Sequence, residues 1–355
     1  MTMLKTRVLV VEDSLTIRKR LLEVLAGDSA IEIVGEAGDG RAAIELCERL
    51  RPDVITLDMM LPVLSGLAAT EHIMAYCPTP ILVVSASTNR GELFTTYDAL
   101  AAGAVEVLEK PTGDEIDGAW ERDFLSLVKL VARIKVITHP RGRLTQPRHE
   151  PASAAPGAPS TPARCVAIGA STGGPAAVAQ VLRSLPPDFP VPILVVIHIG
   201  AIFAPALAEW LDAQSPIRVA HAKQGEALPS FGRVLMAPAE HHMTVRRGVI
   251  ELTQGPERHS CRPSVDVLFE SLAMEQSSGI IACLLTGMGR DGASGLLSLR
   301  RAGATTIAQD EATSIVYGMP REAAQLGAAM EVLPLDKIGP ALVGYAARRI
   351  SARPR

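Results

Sequence analysis

Val8-Leu9-Val10-Val11-Glu12-Asp13-Ser14 decides the fold of the first third of the chain: four apolar residues end on two carboxylates. The pattern returns three times. Residues 54–57 end on Asp58, residues 81–84 end on Ser85, and residues 105–108 lead through Glu109 to Lys110. Residues 31–34 form one more apolar run. Between the runs the period changes. Ile17, Leu21, Val24 and Leu25 stand at i, i+4, i+7 and i+8, the spacing of one helix face. Strands and helices alternating at this length predict a parallel sheet with helices on both faces. In such sheets functional groups collect beyond the carboxyl ends of the strands.

The second half repeats the design. Residues 166–168, 193–197, 234–236, 280–285 and 305–308 read as strands, several of them apolar throughout. Continuous apolar runs suit strands covered on both faces. Helical stretches at 176–185, 267–274 and 295–301 separate them, and Val245 with Glu251-Leu252-Thr253 suggests a small hairpin. The fold class expected is therefore α/β, with two doubly wound parallel-sheet domains. Residues 137–163 carry six prolines and only one leucine, too little apolar surface to fold. They read as a Pro/Ala-rich flexible linker between a first domain at 5–136 and a second at 164–350.

With 355 residues, each domain can bury its own core. A net charge of −3 gives no electrostatic case for nucleic acid or a membrane surface, and 3% aromatics provide few stacking platforms. No apolar run reaches the roughly 18 residues of a membrane span, and the first residues show no signal-peptide pattern. Five scattered cysteines suit a reducing cytoplasm better than a disulfide framework, with Cys165 and Cys283 expected in the core.

Glu12, Asp13 and Asp58 would converge at neighbouring strand ends. Unpaired, they would repel and raise one another's pKa, which a hard divalent cation such as Mg²⁺ resolves. A carboxylate beside Mg²⁺ can attack a phosphoryl donor, with Lys110 and Ser85 placed to bind phosphoryl oxygens. The alternative is that Asp13-Ser14 simply caps the next helix. The segments Val-Val-Glu12-Asp13-Ser, Pro52-Asp53-Val-Ile-Thr-Leu-Asp58-Met-Met-Leu-Pro-Val-Leu-Ser-Gly66, Val-Ser85-Ala and Glu109-Lys110-Pro111 resemble the response-regulator receiver domain. The resemblance implies a flavodoxin-like fold and Asp58 as acceptor of phosphate from a histidine kinase. It also implies Mg²⁺ held by Glu12, Asp13, Asp58 and the backbone carbonyl of Met60. Val107 departs from the pattern, standing where many receivers carry an aromatic switch residue.

In the second domain, Gly169-Ala170-Ser171-Thr172-Gly173 matches G-x-S-x-G, a sharp turn that lifts a serine to the top of a sheet. Serine needs a base, and His198 directly follows the strand at 193–197. The base needs an orienting acceptor. Asp291, in the Gly-rich loop after the strand at 280–285, competes with Asp310 for that role; the glycines favour Asp291. A glycine-rich turn can also cradle phosphate, but the next strand ends on His198 rather than a ribose-binding acid. His241, His242 and His259 lack metal-ligand spacing and read as surface residues.

The order Ser, His, Asp differs from that of α/β-hydrolases. Four segments resemble instead the catalytic domain of the chemotaxis protein-glutamate methylesterase family. They are Ile-Gly-Ala-Ser171-Thr172-Gly-Gly-Pro, Arg262-Pro263-Ser264-Val265-Asp266-Val267-Leu268-Phe269, Leu-Leu-Thr286-Gly-Met288-Gly-Arg-Asp291-Gly-Ala and Gln309-Asp310-Glu311 with Val316-Tyr317-Gly-Met-Pro320. The resemblance implies a Rossmann-like fold and a triad of Ser171, His198 and Asp291. Thr172 and Met288 would lie at the active centre, with Met288 near the oxyanion. It further implies methylated chemoreceptors as substrates, with deamidation of receptor glutamines as a second activity, and no cofactor at the serine. His198-Ile199-Gly200 departs from the family's usual His-Met-Pro, and residues 201–203 depart with it. The expectation is a cytoplasmic hydrolase whose unphosphorylated receiver docks over the Ser171 cleft and is released on phosphorylation of Asp58. An inactive scaffold and a small-molecule esterase are the competing classes.

Overall fold

The computed structural model describes residues 5–86, 90–111, 118–134, 136, 163–275 and 279–351. Contacts divide the chain into two units, Met1–Pro147 and Arg148–Arg355.

In the first unit β1 (Thr6–Val11), α1 (Leu15–Ala26), β2 (Ile31–Ala37), α2 (Gly40–Leu50), β3 (Val54–Leu57), α3 (Gly66–Tyr76), β4 (Ile81–Ser85), α4 (Arg90–Ala101), β5 (Glu106–Glu109) and α5 (Ala119–Val131) alternate. The strands pair in parallel in the order β2-β1-β3-β4-β5. The chain enters at β1, winds to β2, then crosses back to β3, so the carboxyl ends of β1 and β3 are adjacent. Val8, Leu9, Val10, Val54, Ile55, Leu57 and Leu82 are wholly buried, as double-sided covering requires. Ser14 caps α1, its hydroxyl accepting from Ile17 N, which leaves Asp13 without that duty.

In the second unit β6 (Cys165–Ala170), α6 (Gly174–Arg183), β7 (Ile193–Ile197), α7 (Ala204–Gln214), β8 (Val219–His221) and β9 (Val234–Met236) come first. A hairpin of β10 (His242–Arg246) and β11 (Val249–Thr253) follows, then α8 (Val265–Met274), β12 (Ile280–Leu284), α9 (Ala293–Arg301), β13 (Thr305–Gln309), α10 (Met319–Gln325), β14 (Glu331–Leu333) and α11 (Leu335–Ser351). Seven strands pair in parallel in the order β14-β13-β12-β6-β7-β9-β8. The order reverses at β6, whose neighbours are β7 and β12. The crevice beyond these three carboxyl ends is the switch point where open α/β sheets bind ligands.

Both sheets are the doubly wound kind expected, and Cys165 and Cys283 are buried in the second core. The hairpin is present. Strands β8 and β14 escape the sequence reading because each is three residues long and lies at a sheet edge without an apolar run. Residues 137–162 of the expected linker lie outside the described residues. Ala163 is buried.

Candidate functional site

Glu12, the residue after β1, and Asp58, the residue after β3, are buried, whereas Asp13 is exposed. Lys110 follows β5 and reaches both: its Nζ lies 2.8 Å from Glu12 Oε2 and 2.9 Å from Asp58 Oδ2. Asp58 Oδ1 accepts from Met59 N at 2.7 Å. Burial pushes the Glu12 carboxyl above its ordinary range; the Lys110 hydrogen bond opposes this and the Asp58 charge reinforces it. Burial also disfavours the Lys110 ammonium, but hydrogen bonds to Glu12 and Asp58 and their charges outweigh it and raise its pKa.

One carboxylate oxygen each from Glu12, Asp13 and Asp58 lie within 4.8 Å of one another, a hard oxygen set of the kind Mg²⁺ takes. Met60, two residues after Asp58, has an exposed side chain. Ser85, the last residue of β4, has a buried hydroxyl with no hydrogen-bond partner among the described residues. A buried polar group is rarely left unsatisfied, and a phosphoryl oxygen on Asp58 would satisfy this one. All five expected residues thus stand at one end of the first sheet. Val107 is buried in β5.

In the second unit Ser171 follows β6, His198 follows β7 and Asp291 lies in the turn between β12 and α9. His198 N donates to Ala170 O at 3.1 Å, fixing this histidine beside the serine turn. His198 Nε2 lies 2.9 Å from Asp291 Oδ2. Nδ1 therefore faces the other way, toward Cys261 Sγ at 3.5 Å. Burial would lower the imidazole pKa, but the Asp291 hydrogen bond and then the Cys261 contact outweigh it and raise it to about 9.

Asp291 is held by the amino end of α8. Its Oδ1 accepts from Ser264 Oγ at 2.7 Å and from Asp266 N at 3.1 Å, and its Oδ2 accepts from Val265 N at 2.7 Å. These are the orphan donors of a helix N-terminus, where a carboxylate is favoured. Burial would raise the Asp291 pKa, but the bond and charge of His198 and the Ser264 and Val265 donors hold it below the ordinary carboxylate range. Asp310, the rival candidate, instead accepts from Thr313 N and Thr313 Oγ1 in its own turn.

The serine turn is shaped by close backbone approach. Gly173 takes a φ of 75° at the start of α6, and a Cβ there would lie 2.7 Å from Ile315. A Cβ on Gly287 would lie 2.3 Å from Met319 Sδ and 2.7 Å from Ser171 Cβ. Gly287 thus packs directly on Ser171 and brings Met288, whose side chain is exposed, to the rim. Thr172 is buried, and its carbonyl accepts from Thr286 Oγ1 at 3.0 Å. Thr286 N in turn donates to Gln309 Oε1, tying the ends of β12 and β13 to the serine turn.

One histidine expectation is overturned. His242 is buried, with Nδ1 accepting from Ser264 N and Nε2 beside Pro256 O, because the hairpin folds its first residue under the start of α8. His259 is exposed but bonds Asp266 through Nε2 at 3.1 Å, and its ring approaches the Asp266 and Asp291 carboxylates. Sequence reasoning gave no role to Ser264, Asp266 or Cys261. A Ser ahead of Val265 and an acid in the first turn are a helix-start signal that marks α8. Nothing local signals that its amino end meets Asp291.

A receiver-type sheet followed by a second parallel sheet with a serine, a histidine and an aspartate at its switch point defines a response regulator with a hydrolase as its output domain. Residues 8–117 match the family model of the response regulator receiver domain, and residues 166–342 match that of CheB methylesterase. The protein-glutamate methylesterase/protein-glutamine glutaminase of Nitrosospira multiformis is 46% identical over 349 residues, 96% of this chain and 97% of that one. Enzyme 2 of the same name from Pseudomonas aeruginosa is 42% identical over 348 residues, 96% of this chain and 97% of that one. The crystal structure of the Thermotoga maritima CheB methylesterase catalytic domain aligns at 36% identity with a TM-score of 0.49, covering 51% of this chain and 98% of that chain. The chain belongs to the CheB methylesterase family, enzymes of chemotactic adaptation under receiver control. No helix among the described residues is long and apolar enough to cross a membrane.

Proposed function

We propose that Ser171, His198 and Asp291 hydrolyse methyl esters of glutamate side chains on cytoplasmic chemoreceptor helices. The observation that carries this is the Asp291–His198 pair, held at 2.9 Å beside the serine turn by the amino end of α8. Ser171 Oγ attacks the ester carbonyl carbon while His198 Nδ1 takes the hydroxyl proton. Asp291 keeps the imidazole oriented and stabilises its charge. The carbon–oxygen bond to methoxide breaks, and Nδ1 returns the proton so that methanol leaves. Water then attacks the acyl-serine with Nδ1 again as base, freeing the glutamate carboxylate and restoring Ser171. Thr172 and Met288 border the developing oxyanion. The same attack on a glutamine amide releases ammonia, which makes deamidation the second activity.

Asp58 is the phosphoacceptor in this reading, with a chemotaxis histidine kinase as donor. Glu12, Asp13, Asp58 and the Met60 carbonyl would hold Mg²⁺, which neutralises charge as phosphate is transferred. Ser85 and Lys110 then bond the phosphoryl oxygens, and Lys110 gives up part of its present pairing to do so. Phosphorylation raises esterase activity, in the cytoplasm. The domain assignment proposed is receiver 5–136, linker 137–163 and catalytic domain 164–350. Methanol release from a methyl-esterified receptor fragment tests the catalytic half: Ser171→Ala abolishes it, and retained release contradicts the assignment.

A further inference from the structure

Cys261 is the one cysteine of the five that is not buried, and it stands against the base. Its position is built. Residues 258–261 form a turn closed by Arg258 N to Cys261 O at 3.2 Å and Cys261 N to Arg258 O at 3.0 Å. Both central residues, His259 and Ser260, take left-handed φ values of 53° and 58°, the backbone of a tight mirror-type turn. The turn is pinned to α8 twice: Arg258 Nη2 lies 2.7 Å from Glu270 Oε1, and His259 Nε2 lies 3.1 Å from Asp266 Oδ2. Cys261 Sγ is thereby set 3.5 Å from His198 Nδ1 and 3.4 Å from His259 O.

Asp291 occupies Nε2, so the lone pair that must activate Ser171 is on Nδ1. Among the described residues no hydrogen bond joins Ser171 Oγ to that nitrogen. Its polar partner is the thiol. We propose that Cys261 is a positioning residue: in the resting enzyme it holds the basic nitrogen of His198, and it yields that nitrogen to Ser171 when the ester binds. The inference rests on the triad reading above and deepens it.

A thiol is a weak hydrogen-bond partner, which makes the exchange cheap. It also leaves a signature: the S–H is turned to His259 O, so the sulfur accepts from Nδ1–H of the protonated ring, which favours the charged form and raises the pH at which His198 becomes a base. The charged groups around the ring are Asp291 after β12 and, one layer out, Asp266 of α8 with Arg258 and His259 of the turn. None of these is changed by a substitution at Cys261.

The test is methanol release by the full chain, with phosphodonor and Mg²⁺, from a methyl-esterified receptor fragment between pH 6 and pH 10. Cys261→Ala is expected to move the acid limb of kcat/KM to lower pH with KM unchanged. Below the limb, activity then rises about tenfold for each pH unit moved. Cys261→Ser, which keeps a hydroxyl near Nδ1, is expected between the two. Iodoacetamide on the wild type forms a sulfur–carbon bond with loss of iodide and a proton. That adduct fills the space beside Nδ1 and stops release, while Cys261→Ala resists the reagent. An acid limb that stays in place in Cys261→Ala, or full activity in enzyme alkylated at Cys261, overturns the proposal. Ser171→Ala in the same series separates the failures. If it abolishes release while the limb stays in place, only the role of Cys261 falls; if it keeps release, the triad reading falls.

Discussion

Asp291 Oδ2 takes His198 Nε2 at 2.9 Å, which leaves Nδ1 as the nitrogen that would serve Ser171 in the proposed triad. The same carboxylate is gripped by Ser264 Oγ and the Val265 and Asp266 amides at the start of α8. A single buried carboxylate thus holds the His198 ring and ties a helix to the β12–α9 turn. Replacing it tests both roles.

Asp291→Asn keeps the size but loses the charge. Loss of the orienting acceptor in a serine triad costs roughly 10⁴-fold in kcat, and a reduction of that order is expected here in methanol release. The N-terminal donors of α8 also lose a charged acceptor, at about 1–3 kcal/mol of stability. A denaturant titration of the full chain reads this second effect.

The pH dependence follows from the raised imidazole. His198 must be neutral to act as base, and its pKa is raised to about 9. The kcat/KM for esterolysis is therefore expected to climb with pH and level off only above about 9, with a slope of one on the acid side. The profile of kcat/KM, which reports the free enzyme, checks this.

Stability carries the opposite sign. A group whose folded pKa is raised stabilises the fold fully below its unfolded value and loses that contribution as pH rises through the folded value. For His198 the window runs from the ordinary 6.5 to about 9. Asp291, shifted down, gives stability that is lost only as pH falls through its depressed range, below the ordinary 3.8. His198→Gln is expected to flatten the decline between pH 6.5 and pH 9 in denaturant titrations of the full chain.

Gly287→Ala places a methyl group 2.3 Å from Met319 Sδ and 2.7 Å from Ser171 Cβ. Overpacking of this kind costs about 1–3 kcal/mol. The displaced serine turn should lower kcat more than it raises KM, and steady-state kinetics on the receptor fragment separate the two.

In the receiver, Glu12 is, with Asp58, one of two buried ligand candidates that Lys110 also pairs. Glu12→Gln is expected to weaken Mg²⁺ binding by more than the roughly 10–100-fold that loss of an outer-shell partner costs. Calorimetric titration with Mg²⁺ alone measures it. Asp58→Asn should remove activation by a small phosphodonor while leaving unstimulated esterase activity in place.

The sheets were legible because their central strands are continuous apolar runs. Val54-Ile55-Thr56-Leu57 and residues 193–197 and 234–236 begin and end where the sequence reading places them. Edge strands β8 and β14 were not, since three half-covered residues carry no period. The residues at strand ends were legible for a related reason: a polar residue directly after an apolar run has to emerge at the carboxyl edge. Ser264, Asp266 and Cys261 sit on a helix start and a turn whose approach to the site is set by tertiary packing. His242 misled because a histidine pair beside a hairpin gives no sign of which face is covered.

The central claim is that Ser171 does esterase chemistry under the control of Asp58. The measurement is methanol release from methyl-esterified receptor fragment by wild type, Ser171→Ala and Asp58→Asn, each with and without Mg²⁺ and a small phosphodonor. The account predicts release that disappears in Ser171→Ala, rises with phosphodonor in the wild type and ignores phosphodonor in Asp58→Asn. Undiminished release from Ser171→Ala, or equal stimulation of Asp58→Asn, would contradict it.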